Sequence, residues 1–532
     1  MKRFTAVLLA LVMAVSFASG CGNTSQPSVE TTPAAAGEQN DASSDSGTSS
    51  TAKDTLMIAH YADAPNLDPM NSLNDCAMRI TTNIYDPLIR MDKDFQPVPC
   101  LAESWEISDD GKEYTFQIRK GVKWHNGDEL TVDDVVFSFE RGMQMPTASP
   151  NFSKVESCVA VGDSAVKVTL KEPYNQSIVF SCLALPFGPI VNKKYVESMS
   201  DEEFGRNPMG TGPFLFKEWQ PGVKAVMTEN PDYFMGAPAL KEITYVVIGD
   251  KSAALISLES GDIDAYIDID APDYPIAERN PDLVVIDSEA LGYDYLVYNT
   301  ARPPFNDVNV RRALAYAIDK DSIIYGGNGG VGTIIDTFLI PQALGFNDDV
   351  KKYPYDVEMA KTLLAEAGYP GGEGIPTIEF LVYMDQYSKY AQIVQESLRE
   401  LGISSKINLV ERAAYQVDMK NGNFDIIMNG IGFAALDLYE AVSELVLTEQ
   451  IGDLNSSQYS NPRIDELFEN SSKTTNQDEI AAIYREIQEI LCEDVPVIPI
   501  AWRVRNVAAN KDLRGIVIDP YSFPFLYDWH WV

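Results

Sequence analysis

The stretch LAESWEISDDGKEYTFQIRKGVKWHNGDELTVDDVVFSFERG, residues 101–142, determines how the first half of this chain is expected to fold. Residues 109–111, Asp-Asp-Gly, predict a tight turn, because Gly111 can take the positive φ that such turns often need. Directly after the turn, three apolar residues alternate with polar ones: Tyr114, Phe116 and Ile118. This alternation predicts a strand with one buried face, paired through the turn with the strand before it.

The same stretch also contains the start of a helix. Thr131 and Asp134 have the spacing of a capping box, in which each side chain bonds the backbone N–H of the other residue. Four apolar residues follow this box: Val135, Val136, Phe137 and Phe139. A helix is therefore predicted to begin just after Thr131.

Taken as a whole, residues 101–142 resemble the signature of the family 5 extracellular solute-binding proteins, the dipeptide and oligopeptide receptors of ABC importers. Five further segments resemble elements of the same family and follow in the family's order: 67–69, 210–219, 230–234, 258–262 and 304–319. The resemblance implies an α/β, two-lobed periplasmic-binding-protein-like fold, of the class with an extra subdomain. Its lobes would be joined by a two-strand hinge.

The folded part of the chain is predicted to divide into two lobes. Residues 54–292 and 504–532 form lobe I, with the extra subdomain at about 105–195. Residues 293–503 form lobe II, where strands and helices alternate in the order typical of βαβ units and a parallel sheet. The resemblance implies that the chain returns to lobe I at its end, and two crossings between lobes would make a hinge.

The beginning of the chain predicts export. Residues 1–20 have a basic start and an apolar run, which are typical of a signal peptide. Small residues before Cys21 resemble a lipobox, so residues 21–53 are interpreted as a lipidated cysteine and a disordered tether rich in Ser, Thr, Gly, Ala and Pro. An ordinary signal peptide with a chance cysteine is the alternative. The predicted location is the extracellular face of the cell membrane, lipid-anchored, or the periplasmic side in a Gram-negative cell.

Composition argues against several classes of function. The formal net charge of −37 repels nucleic acid and anionic lipid. Beyond Cys21, an odd number of cysteines remains: Cys76, Cys100, Cys158, Cys182 and Cys492. Their small or apolar neighbours predict buried thiols, with a Cys158–Cys182 disulfide as the alternative, and neither a metal nor a cofactor is predicted.

Catalysis is the rival class of function. The chain has three histidines and contains neither HExxH nor GxSxG. Residues 327–332 fit the pattern GxGxxG, but they follow a predicted helix at 308–324 rather than a strand. These glycines are expected to end that helix instead of binding a dinucleotide. The sequence therefore predicts a protein that is not an enzyme.

The resemblance implies solute contacts in the region 429–437. Peptide-binding members have an aspartate near a Gly-Trp pair that binds the amino terminus of the peptide. Gly432 and Phe433 correspond to that pair, with Phe433 where Trp is common. Leu436 stands where the aspartate is common and Asp437 comes one place later. Asp437 is expected either to anchor the solute or to cap the helix that follows it.

Other candidate contacts come from three further places. Dipeptide receptors have an arginine after the strand that corresponds to residues 378–383, and this chain has none there, which favours a longer peptide or another solute. Tyr383, at the end of that strand, is a candidate contact. Asn71 and Asn74 are candidates whose alternative roles are a turn and a helix cap. Trp502, near the second hinge crossing, is the last candidate.

The predicted function is that of an extracellular receptor of an ABC importer. It would capture short peptides between two closing lobes and deliver them to the permease subunits in the membrane, as a monomer and without nucleic acid. One alternative is the same class of receptor for a non-peptide solute, such as a metal chelate, an opine or an oligosaccharide. The other is a peptide sensor or chaperone that is not coupled to transport.

Overall fold

A computed structural model describes residues 53–532 of the protein, apart from residues 73, 185, 187, 520 and 522. The predicted signal peptide, Cys21 and nearly all of the predicted tether lie outside the described residues. Within the described residues, no helix is both long and apolar enough to cross a membrane.

The first part of the chain is rich in strands. Its strands are β1 (Thr55–His60), β2 (Ile89–Met91), β3 (Pro97–Pro99), β4 (Ala102–Ile107), β5 (Glu113–Ile118), β6 (Val155–Val161), β7 (Ala165–Leu170), β8 (Phe214–Gln220), β9 (Lys224–Glu229), β10 (Glu242–Val247) and β11 (Ala265–Ile267). Its helices are α1 (Asp75–Ile84), α2 (Val132–Gln144), α3 (Gln176–Leu183), α4 (Lys193–Glu197), α5 (Asp201–Arg206), α6 (Lys251–Ser260) and α7 (Tyr274–Arg279).

The second part alternates strands with longer helices. Its strands are β12 (Leu283–Tyr298), β13 (Thr333–Ile334), β14 (Ile378–Val382), β15 (Ser405–Leu409), β16 (Ile426–Gly432), β17 (Val497–Asn510), β18 (Leu513–Arg514) and β19 (His530–Trp531). Its helices are α8 (Val308–Tyr316), α9 (Lys320–Ser322), α10 (Val357–Glu366), α11 (Asp385–Glu400), α12 (Arg412–Lys420), α13 (Leu438–Val446), α14 (Pro462–Ser471) and α15 (Gln477–Asp494).

The unit predicted from residues 101–142 is confirmed. Strands β4 and β5 pair antiparallel around a turn in which Gly111 has a φ of 69°. The three alternating residues of β5 are buried. Thr131 and Asp134 form the capping box of α2, with both reciprocal hydrogen bonds present. These strands belong to a four-stranded sheet in the order β4-β5-β7-β6, which lies inside the predicted subdomain.

A mixed sheet of eleven strands runs through both lobes of this α/β fold. Its order is β15-β14-β16-β12-β17-β11-β1-β10-β9-β8, with β13 also paired to β17. The parallel sheet predicted for lobe II is present, because β14 pairs parallel with both β15 and β16. Strands β12 and β17 pair antiparallel from Leu283/Asn510 to Val297/Val497 and join the two halves of the sheet.

The buried apolar residues fall into separate cores. Two cores contain buried residues from 56–277 and 507–529. The other two contain buried residues from 293–502. This distribution supports the proposed lobe boundaries at 292/293 and 503/504, which remain a prediction.

One predicted helix was wrong in its extent. The helix expected at 308–324 ends at Tyr316, and α9 and a π-helical segment at Ile323–Gly327 follow it. The physical reason is Asp319, whose side chain accepts a hydrogen bond from the backbone N–H of Ser322 and so caps a new helix. Beyond it, Gly329, Gly330 and Gly332 have positive φ, as a loop requires.

A buried ion pair ties the segment at 67–69 to α2. Asp68 accepts hydrogen bonds from Nη1 and Nη2 of Arg141, at 3.0 and 2.7 Å. The backbone N–H of Met70 also donates to Asp68. Asp68 is 1% exposed and the Arg141 side chain 9% exposed. The aspartate of this family-like segment therefore has a structural role.

Gly210, in the segment 210–219, lies against the backbone at the end of α1. A Cβ at this position would be 2.0 Å from the carbonyl oxygen of Ile84. We expect Gly210→Ala to lower the free energy of unfolding by about 2 kcal/mol, because a backbone atom cannot move aside cheaply. Urea denaturation measures this loss. Gly249→Ala is the control, since the nearest atom to its Cβ would be 3.7 Å away. Equal losses in both variants would contradict the steric argument.

The five described cysteines are all free thiols. Four are buried and Cys182 is partly buried. Burial is thus confirmed for four of the five thiols, and the alternative of a Cys158–Cys182 disulfide is wrong. Burial raises the pKa of Cys158 and that of Cys492 to about 12.

Candidate functional site

A polar cavity of about 460 Å³ lies where β12 and β17 pass between the lobes, and we call it the hinge cavity. Residues 501–506 of β17 form one wall, and residues 268–271 line it from lobe I. Tyr383, Tyr387 and Gly430 line it from lobe II. Six charged side chains of both signs contribute to the lining: Lys251, Asp268, Asp270, Asp294, Arg503 and Arg505. A cavity of this size with a few converging polar groups suits a small polar solute.

Arg503 and Asp294 form an ion pair in this cavity. Nε of the guanidinium donates to Asp294 Oδ1 at 3.0 Å, and Nη2 donates to the Tyr387 hydroxyl at 2.9 Å. The hydroxyl of Tyr390 donates to Asp294 Oδ2 at 3.2 Å. Asp294 is buried, whereas 37% of the Arg503 side chain is exposed. Burial alone would lower the pKa of Arg503, but the Asp294 carboxylate beside it raises that pKa above its usual value.

Gly430 of β16 leaves room for this guanidinium, and Gly432 of the same strand lies beside it. A Cβ at Gly430 would lie 1.9 Å from Nη2 of Arg503 and 2.4 Å from Oδ1 of Asp294. A Cβ at Gly432 would lie 3.9 Å from Nη1 of Arg503. The strand that carries the predicted contacts therefore contributes space to the site, and any side chain at Gly430 would displace the ion pair.

A second charged cluster forms the lobe I wall of the hinge cavity. Asp268 pairs with Arg79 of α1, and Nη1 of Arg505 lies 3.3 Å from Oδ2 of Asp268. Asp268 has a φ of 62°, a left-handed conformation that costs free energy in a non-glycine residue and persists where the surroundings impose it. Among the described residues, Oδ1 of Asp268 has no hydrogen-bond partner. This oxygen is buried, so an unpaired acceptor lies within the lobe I wall of the cavity.

The structure brings several predicted contacts together at the hinge cavity. Tyr383 and Trp502 line it, and Gly432 lies beside the guanidinium. Trp502 is fully buried, with its ring stacked on Tyr293 at 6.1 Å between centroids and edge-on to Phe433 at 5.4 Å. Phe433 therefore supports the wall of the cavity through Trp502.

Asp437 lies outside the hinge cavity and is 1% exposed. Its Oδ1 accepts from the backbone N–H of Tyr439 and the hydroxyl of Tyr484, both at 2.8 Å. Its Oδ2 accepts from Asn175 at 2.6 Å and from Ser177 at 3.3 Å, both at the start of α3 in lobe I. The predicted helix-capping role is confirmed. Burial raises the pKa of Asp437 to about 6, against the lowering effect of these hydrogen bonds.

The two asparagines that follow the segment at 67–69 do not line the hinge cavity. Asn74 caps α1, because its side chain accepts hydrogen bonds from the backbone N–H groups of Cys76 and Ala77. Asn71 is exposed and closes a turn, with its N–H donating to the carbonyl of Asp68. The alternative structural roles of both residues are therefore present, while their contact with a solute stays a prediction.

Two other cavities are lined by residues of the predicted subdomain together with residues of lobe II. One, of about 360 Å³, is lined by Leu291, Leu436 and residues 175–177. The other, of about 810 Å³, is larger than the hinge cavity, but its charged lining combines five carboxylates with Lys154. The hinge cavity is the better candidate site because it offers charges of both signs on the strands that connect the lobes.

Sequence reasoning missed all six charged residues of the lining and Tyr387, including the three that form the ion-pair network: Asp294, Tyr387 and Arg503. The signal for Arg503 was present, because it follows the predicted contact Trp502 in the strand. Successive side chains of a strand point to opposite faces, so one of the two had to face away from the core. Asp294 and Tyr387 gave no local signal, since their contacts with Arg503 join residues far apart in the sequence.

Two lobes, two connecting strands and a charged cavity at the connection define a solute-binding receptor. The model of the bacterial extracellular solute-binding proteins, family 5, matches residues 96–453. The chain belongs to this family.

Individual relatives are similar over most of their length. Heme-binding protein A of Haemophilus influenzae is 30% identical over 472 residues, which cover 84% of this chain and 86% of the relative. Oligopeptide-binding protein AppA of Bacillus subtilis is 30% identical over 489 residues, which cover 87% of this chain and 89% of the relative. The solved structure of HbpA2 from Haemophilus parasuis is 26% identical and superposes with a TM-score of 0.81, over 90% of this chain and 100% of that one.

Proposed function

We propose that this chain is the receptor of an ABC importer and that it captures short peptides between its lobes. The observation that carries the proposal is the hinge cavity, whose lining combines Arg503 and Arg505 with Asp268 and Asp270 and so presents both charge signs to a zwitterionic solute. Membership of family 5 supports the receptor role. The similarity to an oligopeptide-binding protein supports peptide as the solute. Tyr383 and Gly432 are the predicted contacts that lie at this site, and the fully buried Trp502 supports its wall.

The receptor would work at the membrane surface. We propose that Cys21 carries a lipid and that residues 22–53 tether the folded lobes near the permease subunits. Family membership supports an extracellular or periplasmic location for the folded part. The receptor would act as a monomer that delivers the solute when the lobes close around the hinge strands.

A non-peptide solute is the second candidate. It is supported by the similarity to a protein named for heme binding and by the absence of an arginine between Val382 and Tyr387. Such a solute would occupy the same hinge cavity and use the same charged lining.

Native mass spectrometry of residues 54–532, purified without refolding, tests the proposal. We expect a set of bound masses that correspond to short peptides from the expression host. A single non-peptide mass would favour the second candidate. If the protein is empty, a randomised tetrapeptide library should raise its melting temperature, and no shift with any peptide would contradict a peptide receptor.

A further inference from the structure

We propose that Arg503 binds the terminal carboxylate of the solute, in place of the arginine that the loop after β14 lacks. This inference rests on the proposed function, because it concerns the solute of the same site. The family resemblance implies that a dipeptide receptor has an arginine in that loop. In this chain, a guanidinium comes from the hinge strand β17 instead.

The position of the guanidinium supports this role. Arg503 reaches Tyr387, which lies in the first turn of α11, two residues into the helix that follows β14. It also lies over Gly430 and Gly432 at the end of β16. The charge is therefore placed beside the carboxyl ends of two neighbouring parallel strands of lobe II, where open α/β sheets bind ligands.

The hydrogen bonds of the guanidinium leave part of it free. Asp294 takes the Nε donor and Tyr387 takes one Nη2 donor. Among the described residues, no hydrogen bond is made by Nη1, and 37% of the side chain is exposed. Asp294 and Tyr387 thus fix the plane of the guanidinium while one end of it faces the cavity. A carboxylate bound there would gain charge-assisted hydrogen bonds from a side chain that is already ordered.

The ion pair with Asp294 shows why this arginine is more than a structural partner. A guanidinium whose role was to neutralise Asp294 could be buried with it, as Arg79 is buried near Asp268. Arg503 instead remains open to the cavity. Gly430 leaves the room that the guanidinium itself occupies there. The open end of the guanidinium is explained by an anionic group that enters from the cavity.

Two randomised tetrapeptide libraries test the proposal, one with a free carboxyl terminus and one with a terminal amide. Each is incubated separately with residues 54–532, and the retained peptides are measured by mass spectrometry. We expect at least tenfold more retention of the free-acid library by the native protein. Asp294→Asn/Arg503→Gln, which removes the charges together, should retain both libraries equally and weakly. Gly430→Ala should reduce the preference by displacing the guanidinium.

The outcomes separate this inference from the proposed function. Arg514→Gln, which changes an exposed arginine of β18, should keep the full preference and is the matched control. Equal retention of both libraries by the native protein would overturn the role of Arg503 while leaving a peptide receptor. A preference that survives in both the Asp294/Arg503 double variant and Gly430→Ala would also overturn it. Retention of neither library would overturn the peptide function and the inference with it.

Discussion

Asp68→Ala should lower the free energy of unfolding by about 3–5 kcal/mol, because it leaves the guanidinium of Arg141 buried without its main partner. The native carboxylate accepts two parallel hydrogen bonds from Arg141 and is almost completely buried. Asp201 also lies 3.2 Å from the same guanidinium, but it is exposed and cannot replace Asp68.

Urea denaturation followed by tryptophan fluorescence measures this loss. Asp201→Ala is the matched control, since it removes an exposed carboxylate from the same arginine and should cost less than about 1 kcal/mol. A loss for Asp68→Ala no larger than that of the control would show that the buried pair is not what holds the segment at 67–69 to α2.

Between pH 4 and pH 6, Asp437 should lower the free energy of unfolding of the native protein by about 3 kcal/mol as the pH rises. Asp437→Asn should abolish this change. The pKa of Asp437 is raised to about 6 in the folded protein, whereas the pKa of an aspartate in the unfolded chain is about 4. The folded state therefore binds the proton more tightly, so this group makes stability fall as the pH rises from about 4 to about 6. Above that range its contribution is constant.

The measurement is a series of urea denaturation curves from pH 4 to pH 7.5 for the native protein and the variant. The difference in the free energy of unfolding between the native protein and the variant should change by about 3 kcal/mol between pH 4 and pH 6 and then stay constant. Asp163→Asn, an exposed carboxylate in the turn between β6 and β7, is the control and should follow the native curve. Parallel curves for the native protein and Asp437→Asn would contradict a raised pKa at this position.

Local chemistry explains which parts of the fold could be predicted. The turn at Gly111, the alternation in β5 and the capping box of α2 depend on residues a few positions apart, and all three are present. The helix expected at 308–324 failed because Asp319 starts a new helix within it. That signal was also local, because Asp319 caps the new helix through Ser322, three positions away.

The site was less predictable because its contacts are not local. Asp294 and Arg503 are 209 residues apart, and the pairing of β12 with β17 brings them together. The capping role of Asp437 involves a residue two positions away and was foreseen. Its hydrogen bonds with Asn175 and Ser177 join residues 262 and 260 positions apart in the sequence. A local sequence pattern cannot predict contacts of this kind.

The five free thiols have a consequence for the maturation of this receptor. A protein that works outside the cytoplasm meets oxidants, yet its described cysteines form no disulfide and most of them are buried. Because only the thiolate reacts readily, thiols whose pKa is raised to about 12, such as those of Cys158 and Cys492, resist oxidation. The described part of the chain, residues 53–532, can therefore fold without a disulfide-forming catalyst.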